Sequence, residues 1–71
     1  MDIEKMSYDF HQAGGIFFVE VLANGKVHLF ACLMKGDEPV EVETMESDNG
    51  PPLLDAVDEL VRRAITHVGA A

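Results

Sequence analysis

The sequence predicts an α+β fold: an antiparallel three- or four-stranded β-meander with one C-terminal α-helix packed on one face. Three observations carry this expectation. Two apolar runs, Ile16 to Ala23 and Lys26 to Met34, meet at Asn24-Gly25, the strongest short hairpin signal. A second turn signal, Lys35-Gly36-Asp37-Glu38, precedes an alternating stretch that begins Val40-Glu41-Val42-Glu43. Near the C-terminus, Leu53, Leu54, Val57, Leu60, Val61, Ala64, Ile65 and Val68 recur at three- and four-residue spacing.

Residues 1–12 fit two patterns. Met6, Tyr8 and Phe10 alternate with Ser7, Asp9 and His11, the period of a half-buried strand, which is the reading adopted for residues 5–11. Ile3, Met6 and Phe10 also match a short helix face. Gln12-Ala13-Gly14-Gly15 then reads as a connecting turn; no GxGxxG or P-loop lysine follows that would make it a phosphate loop.

A two-residue type I′ turn at Asn24-Gly25 sets an expected register. Leu22 faces Val27, Val21 faces His28, Val19 faces Phe30, Phe18 faces Ala31 and Phe17 faces Cys32. The third strand runs from Val40 to about Met45, with Leu33 facing Val40 and Ala31 facing Val42. One face then carries Ile16, Phe18, Leu22, Val27, Leu29, Ala31, Leu33, Val40 and Val42, with Glu20 as an intruder. The opposite face carries Phe17, Val19, Val21, Phe30, Cys32 and Met34, next to His28, Glu41 and Glu43. A one-residue change in turn length would swap faces.

Residues 46–52 (Glu-Ser-Asp-Asn-Gly-Pro-Pro) read as a loop, with Pro51 or Pro52 suited to a first helical turn. The helix spans about 52–68. Asp55, Asp58 and Glu59 lie toward its start and Arg62, Arg63 and His67 toward its end, which complements the helix dipole. Asp58–Arg62 and Glu59–Arg63 are expected i,i+4 pairs. Gly69 is the expected stop.

At 71 residues the chain is read as one domain, 1–71. A chain this short buries only about 60% of its extended surface. Cys32 is the sole cysteine, so no intrachain disulfide forms, and it reads as a small buried hydrophobe. No apolar run approaches the roughly 20 residues of a membrane span. The polar start Met1-Asp2-Ile3-Glu4-Lys5 is unlike a signal peptide, so the expected location is cytoplasmic.

Thirteen acids against five bases leave a formal charge of −8. That balance argues against direct nucleic-acid binding, which needs Lys and Arg to displace counterions. It favours a protein partner with a basic surface. Asp37, Glu38, Glu41, Glu43, Glu46 and Asp48 form a local acidic run without Lys or Arg. It reads either as a charged edge strand that resists pairing or as a recognition surface.

Catalytic signals are missing. His28, Cys32, Glu41 and Glu43 fall on one predicted face, but His28 and Cys32 are roughly 13 Å apart along a strand, too far to bind one metal. His11, His28 and His67 fall on separate elements, and Ser7, Thr44, Ser47 and Thr66 show no nucleophile motif. The expectation is no enzyme activity, no cofactor and no metal. Arg62-Arg63 is a minor basic spot on an acidic chain. If residues 1–12 were helical, the order αβββα would match the double-stranded-RNA-binding fold. RNA contact needs basic residues there, whereas this helix begins Leu53-Leu54-Asp55-Ala56.

One helix covers one sheet face, which leaves the other for a partner. The expected contact residues are Phe17, Val19, Phe30 and Met34, with Glu41, Glu43, Glu46 and Asp48 steering a basic partner. Brevity, lack of catalytic signatures and the acidic run from Asp37-Glu38 to Asp48 resemble, at class level, the small acidic inhibitors of phages and mobile elements, notably anti-CRISPR proteins. That resemblance implies an inhibitor that blocks an effector surface sterically or as a nucleic-acid mimic. The chain is thus expected to be a protein-binding inhibitor or regulator, and a homodimer. The alternatives are a structural or accessory homodimer without inhibitory role and, last in order, a small enzyme or metal-binding protein.

Overall fold

The computed structural model describes residues 2–69. In chain order the elements are α1 (Ile3–Gln12), β1 (Gly15–Val21), β2 (Lys26–Lys35), β3 (Glu38–Asp48) and α2 (Pro52–Gly69). The strands form one antiparallel sheet in the order β1-β2-β3. The fold is the expected α+β meander with the C-terminal helix on one face. It has three strands, and a second helix joins the first on the same side.

That second helix corrects the strand reading of residues 5–11. Met6 and Phe10 satisfy both periodicities; Tyr8 separates them. A half-buried strand would bury Tyr8 beside Met6 and Phe10, yet Tyr8 is 61% exposed while the other two are buried. The helix has its own start and stop. The Asp2 carboxylate accepts from the Glu4 N–H at 2.9 Å, an N-cap. Lys5 and Asp9 pair at 2.8 Å across one turn. Gly14, at φ +93°, takes the left-handed conformation that ends the helix. In the resulting order αβββα, α2 opens on Pro52-Leu53-Leu54-Asp55, without a basic residue in its first turn.

The first hairpin also differs from expectation by one residue. Val21 faces Val27, Val19 faces Leu29, Phe18 faces Phe30 and Phe17 faces Ala31. The turn is not type I′, because Gly25 (φ +84°) is its one positive-φ residue. Gly25 N–H donates to Leu22 C=O at 3.0 Å, Leu22 N–H donates to Lys26 C=O at 2.8 Å, and Asn24 Oδ1 accepts from Lys26 N–H at 3.0 Å. This is a three-residue loop built on a type I turn with glycine in the left-handed position. The extra residue rotates β1 by one side chain. Phe17 turns toward the helices, where its ring lies 4.9 Å from that of Phe10. Ile16, Phe18 and Glu20 turn to the opposite side. The type I′ register would have set Glu20 among the core residues; the longer loop removes that conflict.

Gly36-Asp37 is the expected two-residue turn, since Lys35 faces Glu38 and Leu33 faces Val40. Between Ala31 and Cys32 the register slips: Cys32 faces Glu41, whereas Ala31 faces Glu43 and not Val42. Val42 is the extra residue of a β-bulge. It still packs on the core, as does Met45. Residues 46–48, expected in a loop, extend β3 because β2 is long enough to pair with them, and Lys26 reaches Asp48 at 3.4 Å.

The core lies between the sheet and the helices. Phe10, Val27, Leu29, Ala31, Leu60 and Ala64 are its buried centre. Gly15 belongs to this packing: a Cβ there would stand 2.2 Å from the Phe10 ring. In α2, Arg63 pairs with Glu59 at 3.0 Å as expected, whereas Asp58 and Arg62 do not close to ion-pair distance.

Candidate protein-binding face

Alternation along β2 places His28, Phe30, Cys32 and Met34 on the side away from the helices. The observed register sets Ile16, Phe18 and Glu20 beside them from β1, and Glu41, Thr44, Glu46 and Asp48 from β3. No described element crosses this side. The result is an apolar band over β1 and β2, with Phe18 45% and Ile16 and Met34 each 36% exposed. Glu41 and Glu46 run along its β3 margin.

Of the expected contact residues, Phe30, Met34, Glu41, Glu46 and Asp48 lie on this face. Phe17, Val19 and Glu43 do not. Phe17 and Val19 follow the one-residue rotation of β1, so Ile16 and Phe18 replace them. Phe17 is packed against the core, while Val19 stays exposed on the helix side. Glu43 is carried across by the bulge and meets His67 Nε2 at 3.0 Å. This contact ties β3 to the last turn of α2. Glu20 was the one available signal of the true register: a lone carboxylate among core positions argues for the other phase.

The candidate metal set is dispersed by the same geometry. Glu43 has left the face that holds His28, Cys32 and Glu41. His28 Nε2 is hydrogen-bonded to Thr44 Oγ1 at 2.6 Å, and the Thr44 hydroxyl also lies 3.2 Å from Leu29 C=O. The His28 ring also lies 4.1 Å from Phe30. Among the described residues no cluster of three His, Cys, Asp or Glu side chains could hold a metal ion. Cys32 is buried, and burial followed by the nearby Glu41 carboxylate pushes its thiol above the usual range. A thiol so placed stays protonated and is a poor nucleophile.

An open groove of about 460 Å³ lies between α1 and α2, lined by Ile3, Glu4, Tyr8, Val57, Asp58 and Val61 among others. No described helix is long and apolar enough to cross a membrane. No known protein family, curated protein or solved structure matches the chain.

Proposed function

We propose that the chain is a small acidic binding module that docks its open sheet face on a basic-rimmed protein surface and acts by occluding it. The observation that carries this reading is the apolar band of Ile16, Phe18, Phe30 and Met34 left uncovered beside Glu41 and Glu46. The band supplies buried contact area and the carboxylates supply steering and register. The acidic margin also suits competition for a nucleic-acid groove. The resemblance to anti-CRISPR proteins makes a CRISPR effector the first partner to test.

Phe30→Glu and the double variant Glu41→Lys/Glu46→Lys separate the two contributions. Phe30→Glu is expected to abolish capture of the partner. The double variant is expected to lower the association rate about tenfold at low salt and to remove its salt dependence. A partner held equally well by Phe30→Glu would overturn the reading.

A further inference from the structure

The two edges of the sheet are built differently. β3 is guarded: Pro39 cannot donate to a neighbouring strand, the bulge at Val42 breaks the ladder, and five acids in eleven residues repel a like strand. β1 has none of these defences. Its sequence Gly-Ile-Phe-Phe-Val-Glu-Val holds one charge, no proline and no bulge. The bonded pairs Leu22–Lys26 and Gly14–Met34 set the alternation of the β1–β2 ladder. Even-numbered residues of β1 bond inward to β2. Phe17, Val19 and Val21 direct their N–H and C=O groups outward; Gly15 shares their phase but is buried beside Phe10. On the helix side, Val19 and Val21 are 65% and 68% exposed, beyond the reach of either helix.

We infer that β1 pairs antiparallel with β1 of a second copy about a two-fold axis at Phe18, which joins two sheets into one. This register sets Phe17 against Val19 of the second copy, and its symmetry mate Val19 against Phe17, each pair exchanging both of its backbone bonds. It uses the outward groups at the exposed centre of the strand. It also places Glu20 opposite Ile16 of the second copy; a register centred on Glu20 would oppose the two carboxylates. Val19 gains Phe17 of the second copy as its cross-strand neighbour on the helix side. The acidic β3 strands fall at the two far margins, where their mutual repulsion is weakest. A copy of the same chain is the occupant because the strand is self-complementary in charge and bonding while the opposite edge is not. The open face stays uncovered and doubles in width, with Ile16 and Phe18 of the two copies adjoining at its centre.

Analytical ultracentrifugation from micromolar to millimolar concentration, combined with hydrogen exchange, tests the inference. The expected wild-type result is twice the chain mass at the high end, with the Phe17 and Val19 amides protected. Val19→Pro removes an outward donor without touching the β2 ladder and is expected to leave a folded monomer. Ile16→Lys, which faces Glu20 of the second copy, is expected to tighten the dimer about fivefold at low salt. Phe30→Glu, mid-sheet on the open face, is expected to leave the doubled mass unchanged. A wild type that stays monomeric overturns the inference. So does a dimer that survives both Val19→Pro and Ile16→Glu, or one that Phe30→Glu dissolves, since the contact would then be face to face.

Discussion

Strand β2 displays both sides of the sheet within ten residues. Val27, Leu29 and Ala31 face the helices and are 2% exposed or less. His28, Phe30 and Met34 alternate with them on the open side, where no described element covers them. The side chains are alike in hydrophobicity on much of both faces, so composition does not explain the difference. The helices do. Apolar content on the first side holds the fold together; on the second it contributes less and is free for contact with another molecule.

Substitutions on the two sides should therefore differ in kind. Leu29→Ala removes a side chain at the centre of the core and should cost about 3 kcal/mol, a large share of the stability of so small a domain. Chemical denaturation measures it; a loss below about 1 kcal/mol would mean that the helix side is loosely packed. Gly15→Ala is next, at about 2 kcal/mol, because Phe10 occupies the space a methyl group needs. Phe30→Glu, by contrast, should change stability by about 1 kcal/mol while eliminating partner binding. If it unfolds the chain, the open face is structural after all.

Cys32 provides a pH-dependent comparison, since it lies on the open side yet is buried. Its raised folded value means that the folded chain holds the thiol proton more firmly than the unfolded chain, where the thiol keeps its ordinary value of 9.0. The associated stability is complete below that pH and is lost as pH rises through the folded value. At pH 8, a thiol reagent should label the folded protein at least about tenfold more slowly than the denatured one. The smallest effect is expected for His67→Ala, about 0.5 kcal/mol, because the contact with Glu43 is partly exposed.

Much of this arrangement was legible in the residues. Alternation alone sorted β2 into its two faces, and the stripe from Leu53 to Val68 located α2. What escaped were single-residue phase shifts. Asn24-Gly25 marks a turn without stating whether two or three residues form its loop, and that choice moved Phe17 into the core and Phe18 out of it. The Val42 bulge shifted Glu43 for the same kind of reason. In the N-terminal segment two shared positions, Met6 and Phe10, satisfied strand and helix equally. The Asp2 cap and Gly14 stop resolve the ambiguity, and both were present in the sequence. The apolar band was anticipated, but its β1 members were the neighbours of those expected.

The bulge at Val42 acts as a parity switch within one strand. Ahead of it, even-numbered Val40 points inward and odd-numbered Glu41 outward; behind it, odd-numbered Met45 and Ser47 point inward while Thr44, Glu46 and Asp48 point outward. A strand of unbroken alternation would drive Glu46 and Asp48 into the hydrocarbon interior and strand Met45 in water. One surplus valine thus allows a carboxylate-rich segment to finish a greasy sheet without wetting its interior.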